Sequence, residues 1–145
     1  MNRVIVDADG CPRTVRQIIA ELTSLYGWEM VTVASPAHII EDSPHHIVGG
    51  LEPQAVDLII HNMVRSGDIV VTQDWGLAAL VLGKGAGAIS PSGMLYKDEK
   101  MDFLLEERHL KAKYRQSGGH TKGAAPRTKR DDQRFRTSLE KLLEN

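Results

Sequence analysis

The stretch Arg3-Val4-Ile5-Val6-Asp7-Ala8-Asp9-Gly10-Cys11-Pro12 runs from Arg3 through three β-branched residues and then turns acidic. A short, wholly apolar run of this kind reads as a buried strand over Arg3 to Asp7. Cys11-Pro12 then puts proline near the first position of a helix. Val15, Ile18, Ile19, Leu22 and Leu25 follow at i, i+3, i+4, i+7 and i+10, one apolar face that Gly27 ends. Working outward, Trp28 to Ala34 is a second strand, and Ile47-Val48 a third after a loop marked by Pro36 and Pro44. Pro53 opens a helix with Val56, Ile59, Ile60, Met63 and Val64 on one side, closed by Ser66-Gly67. Asp68 to Gln73 reads as a buried strand, Leu77 to Leu82 as a short helix and Ala86 to Ser90 as another strand. Alternating strands and helices predict an α/β domain with a mainly parallel sheet covered on both faces.

Farther along, a helix is expected from Asp98 to about Tyr114, with Met101, Leu104 and Leu105 inward and its charges ordered along the macrodipole. Gln116 to Pro126 is rich in glycine and reads as flexible. A last helix starts near Thr128, which caps with Asp131, and buries Phe135, Leu139 and Leu142. The 145 residues, 41% of them hydrophobic, suit a single domain over 1–145. No apolar run approaches the roughly 20 residues of a membrane span, and the acidic start lacks the cationic region of a signal peptide. No membrane partner is expected. The lone Cys11 makes no intramolecular disulfide, which fits a reducing cytoplasm.

Charge is unevenly placed. Residues 1–107 hold seven Lys and Arg against fifteen Asp and Glu, a net of −8, whereas residues 108–130 hold eight cations and no acid. Those eight, Arg108, Lys111, Lys113, Arg115, Lys122, Arg127, Lys129 and Arg130, are the expected contacts to a nucleic-acid backbone, against the plainer reading of a solvated tail. Aromatics are few, and only Tyr114 lies inside the basic segment, so base stacking is expected to add little to phosphate contacts.

In an open parallel sheet, ligands bind beyond the carboxyl ends of the strands. Asp7 and Asp9 fall at that end of the first strand, and Asp74 at that end of the Asp68 to Gln73 strand. Asp57, in the N-terminal half of the second helix, belongs to the same edge, whereas Asp68 begins its strand and suits a cap or turn. Taken singly, a strand-end Asp usually caps the next helix. Taken together, these carboxylates repel unless a hard cation neutralises them, and an all-oxygen set favours Mg²⁺ or Mn²⁺. One or two such ions would polarise a phosphoryl group and activate water for phosphodiester hydrolysis.

The segments Val6 to Pro12, Gly67 to Asp74 with Leu77-Ala78, and Lys84-Gly85-Ala86 with Pro91 to Gly93 resemble the bacterial YaiI/YqxD family, which is placed among the PIN-like domains, the fold of many metal-dependent ribonucleases. The resemblance covers nearly the whole chain. It implies a three-layer α/β/α PIN-like domain with C-terminal helices and an acidic site. By position it implies Asp7 as the first-strand acid, Asp57 as the helix acid, and Thr72 and Asp74 as the Thr-x-Asp element; Asp9 has no counterpart in the general PIN pattern and is expected as a further metal ligand from its place at the strand end, with Cys11 packed beside the site. The implied partner is a nucleic acid, RNA ahead of DNA, handled by a monomer or homodimer.

Two other readings compete. Val4 to Gly10 also resembles the first motif of haloacid-dehalogenase-type phosphatases, although a helix starting at Pro12 leaves no room for their flap. A non-catalytic nucleic-acid-binding module would need only the fold and the basic segment. Cys11, following two acids, is expected to have a raised thiol pKa and to serve in packing. His45, His46, His61, His109 and His120 share no helical spacing, and an Asp57–His61 pair at i, i+4 is more often chance than design. Gly83 to Gly87 lacks phosphate-loop spacing and reads as a helix stop.

Overall fold

The computed structural model describes residues 2–97 and 126–144. The helix expected from Asp98, most of the glycine-rich stretch, and Arg108, Lys111, Lys113, Arg115 and Lys122 lie outside the described residues. The elements are β1 (Arg3–Asp7), α1 (Arg13–Tyr26), β2 (Glu29–Ala34), β3 (His46–Val48), α2 (Ala55–Met63), β4 (Ile69–Val71), α3 (Trp75–Gly83), β5 (Gly87–Ile89) and α4 (Lys129–Glu144). A single 3-10 turn, Ala8–Gly10, links β1 to α1. The five strands form one wholly parallel sheet in the order β3-β2-β1-β4-β5.

Period-two alternation sorts the sheet into two cores. Val4 and Val6 of β1, with Ile69 and Val71 of β4, pack against Val15, Ile19 and Leu22 of α1 and Phe135, Leu139 and Leu143 of α4. Ile5 and Val70 point the other way, onto Val56 and Ile60 of α2 and Leu77 and Val81 of α3. The result is the expected three-layer α/β/α arrangement. Gly27, at φ 74, ends α1 by donating its N–H to the Thr23 carbonyl, as the sequence suggests. Gly93 is demanding for another reason: at φ +91 a Cβ there would lie 2.8 Å from the Arg134 carbonyl carbon, so only glycine lets its loop dock on α4.

Several boundaries differ from expectation. Leu25 is 74% exposed. At 100° per residue it sits about 70° from the mean direction of the four preceding apolar positions, beyond the stripe that faces the sheet. In α4, Leu143 is buried and Leu142 only partly so, since the face steps by four residues from Leu139. Helix α3 begins two residues earlier than its apolar pattern, because Asp74 caps it by accepting from the Leu77 N–H at 3.1 Å.

Candidate functional site

Strand order reverses between β1 and β4, the position where an open parallel sheet leaves a crevice at its carboxyl end. Asp7 ends β1, Thr72 and Asp74 follow β4, and Asp57 comes over from the first turn of α2. A cavity of about 520 Å³ there is lined by Asp7, Asp9, Asp57 and Asp74, together with Gln73 and Trp75. The four expected acids therefore share one cavity.

Thr72 organises the centre. Its hydroxyl donates to Asp7 Oδ2 at 2.8 Å and accepts from the Asp74 N–H at 2.9 Å, so one buried side chain orients the first acid and the turn that carries the second. Burial pushes the Asp7 carboxyl above its ordinary pKa, the Thr72 hydrogen bond opposes this, and the charges of Asp9 and Asp74 add to the rise. Asp57 is pushed up to about 7, first by desolvation, then by a hydrogen bond with Asp74 and by the charges of Asp74 and Asp7. Near neutral pH the Asp57–Asp74 pair thus holds a proton. Asp74 both caps α3 and belongs to the acid group, so the two readings of a strand-end Asp hold together.

Asp9 lines the cavity with its carboxylate already engaged. It accepts from the Ser35 N–H at 3.1 and 3.0 Å, from the Ser35 hydroxyl at 3.1 Å, and meets His38 Nδ1 at 2.7 Å. Among the described residues, no three His, Cys, Asp or Glu side chains stand as a ready metal-holding group. What fits a cation is the donor chemistry: Asp7, Asp57 and Asp74 are hard oxygen ligands whose mutual repulsion is relieved in part by a shared proton.

Asp68, by contrast, is the turn residue its position at the start of β4 suggests. It is buried at the opposite pole, pairs with Arg3 Nη2 at 2.8 Å, and accepts from the Arg3 and Arg65 N–H groups at 3.2 and 2.9 Å. Cys11 is buried beside the turn, and its thiol is pushed up to about 12. The main cause is burial, while Asp7 adds a minor part, so the two acids matter less than expected. Arg127 binds Asp132 through Nε at 2.8 Å, while Lys129 and Arg130 are exposed. Ser35, His38 and Trp75 join the site without having been singled out in the sequence. For Trp75 a signal existed, an aromatic residue directly after a strand-end acid.

Residues 5–145 match the family model described as "Uncharacterized BCR, YaiI/YqxD family". A "UPF0178 protein" of Heliobacterium modesticaldum is 46% identical over 97% of this chain and 96% of its own length. Relatives of the same name from Clostridium kluyveri and Alkaliphilus metalliredigens are 42% and 40% identical, over 99% and 98% of this chain and 93% and 92% of theirs. No solved structure matches the chain.

Proposed function

The chain belongs to the YaiI/YqxD family, and from its site we propose that it is a Mg²⁺- or Mn²⁺-dependent nuclease of PIN-like type that hydrolyses phosphodiesters, in RNA ahead of DNA. The observation that carries this reading is the convergence of Asp7, Asp57 and Asp74 on one open cavity at the sheet's switch point, where crowding and burial raise the Asp57 pKa. A surplus of carboxylate held by a proton is a surplus that a divalent cation can take over, through Asp7, Asp57 and Asp74, with Asp9 joining if it leaves His38. One or two such ions, when bound, polarise the phosphoryl group under attack. The chain's own part is to hold Asp7 on Thr72, to present Asp74 from the α3 cap, and to keep Asp57 where it can gain or lose a proton near neutral pH. Exposed Lys129 and Arg130 add positive charge for the backbone of the substrate. A single buried cysteine suits a cytoplasmic protein, and no helix among the described residues is long and apolar enough to cross a membrane.

The phosphatase alternative loses ground on geometry, because Gly10 to Pro12 alone separate Asp9 from α1 and no flap is inserted there. The test is incubation of the full chain with single-stranded polyribonucleotide in Mn²⁺ and in EDTA. Metal-dependent cleavage, lost in Asp7→Asn and Asp74→Asn with circular dichroism unchanged, supports the nuclease. Phosphate release from a monoester, or binding with no cleavage under any divalent cation, overturns it.

A further inference from the structure

Trp75 lines the acidic cavity and also a second cavity of about 710 Å³, bounded by Tyr96, Met94 and Pro91 on its apolar side and by Ser90, Ser92, Arg127 and Asp131 on its polar side, the Asp131 carboxylate being engaged by the Thr128 N–H at 2.9 Å. Gln73 is the other residue common to both, so the two spaces abut along the turn from β4 into α3. The size is that of a pocket for a small organic ligand. Trp75 is only partly buried, although it stands at the first position of α3, where a small polar residue would be easier to solvate. It is nonetheless held: its ring meets Tyr96 edge-on at 6.4 Å and 67°, and the buried Tyr96 hydroxyl donates to the Thr72 carbonyl at 3.0 Å. The indole is thus fixed, through one ring, to the residue that orients Asp7.

The cation in this wall is Arg127. Arg127 gives Nε to Asp132, while its Nη2 is buried and has no acceptor among the described residues. Ser90 and Ser92, whose hydroxyls lie 2.8 Å apart, add polar groups at the rim. A flat aromatic surface, a guanidinium side chain and hydroxyls around one cavity suit a nucleobase and its phosphate.

We propose that this second cavity is a subsite for an unpaired nucleotide of a single-stranded nucleic acid, its base stacked on Trp75 and its phosphate bound by Arg127. The proposal deepens the nuclease reading and rests on it for the strand's direction toward Asp7. A base inside a duplex has both faces covered and could not reach a ring held this way, so single strands are the ligand class. Contrary to the expectation from composition, stacking then contributes beside phosphate contacts.

The test is run in EDTA, where no cutting is needed. A Trp28→Phe protein, which leaves Trp75 as the lone indole, is titrated with a ten-nucleotide oligouridylate. Saturable quenching of its fluorescence is expected. By anisotropy with a labelled copy of the same oligomer, Trp75→Leu should weaken binding about 10-fold and Trp75→Phe, which keeps an aromatic face, by less than 3-fold. Arg127→Gln should lower the salt slope by about 0.7. No quenching, equal affinity in Trp75→Leu and parent, or an unchanged slope in Arg127→Gln overturns the subsite. The two readings fail separately: quenched binding without cleavage in any metal sinks the nuclease alone. Mn²⁺-dependent cleavage with KM unchanged in Trp75→Leu sinks the subsite alone.

Discussion

Replacing Asp57 by Asn removes the carboxyl that shares a proton with Asp74, and the consequence for stability has a definite sign. The folded protein holds the Asp57 proton up to about pH 7, whereas an unperturbed Asp releases it near 3.8. A carboxyl with a raised folded-state pKa disfavours the fold when ionised. Below 3.8 both states are protonated and the penalty is absent; it grows as pH rises from 3.8 to about 7 and is constant above. Each pKa unit corresponds to about 1.4 kcal/mol, so the whole displacement converts to about 4 kcal/mol. Solvent screening at this partly exposed side chain reduces that to about 1–2 kcal/mol. The amide also keeps a hydrogen-bond donor for Asp74. In EDTA, Asp57→Asn should therefore melt at the parent's temperature at pH 4 and about 3–6 °C higher at pH 8, by differential scanning fluorimetry. A variant no more stable than the parent at pH 8, or a gap equally wide at pH 4, would refute the shared-proton account.

Other outcomes follow from the same geometry. Mn²⁺ at 100 times its dissociation constant should stabilise the parent by about 2.7 kcal/mol and Asp57→Asn by clearly less; equal gains would place the ion elsewhere. Thr72→Val removes the donor to Asp7 and the acceptor for the Asp74 N–H and should cost about 3 kcal/mol in chemical denaturation at pH 8, and less as the pH falls and Asp7 takes up a proton. Replacing Lys129 and Arg130 together by Ala should reduce the salt slope of single-strand binding by about 1.4, and an unchanged slope would make them bystanders. Gly93→Ala should lose about 2 kcal/mol, because its positive φ and the Arg134 backbone leave no space for a methyl group.

What was legible in the sequence is what repeats locally. Three β-branched residues before Asp7 identify a strand buried on both faces, and Val15, Ile19 and Leu22 identify the face of α1 that meets it. The four acids converge as expected because strand ends in a parallel sheet share an edge, a rule of topology that needs no coordinates. Illegible were the partnerships across distance. Asp9 meets Ser35, 26 residues away, and Trp75 meets Tyr96, and no periodicity encodes either pairing. Leu25 shows a milder failure, since an apolar residue near a helix end can drift off the buried stripe with no sign in its spacing.

The two poles of the sheet treat their carboxylates differently. At the amino end, Asp68 is buried with every demand met: a guanidinium at 2.8 Å and two backbone N–H groups. That carboxylate has nothing left to offer a ligand. At the carboxyl end, Asp7 has the Thr72 hydroxyl, and Asp57 and Asp74 have a hydrogen bond to each other. Arg3 shows that the fold can build a buried ion pair, yet among the described residues no arginine or lysine lines the acidic cavity. A folded chain tolerates such repulsion only at some cost in stability, and a positive species from outside relieves it. The contrast between one acid balanced by a guanidinium and several acids gathered in one cavity makes the cavity at Asp7 the place to test for chemistry.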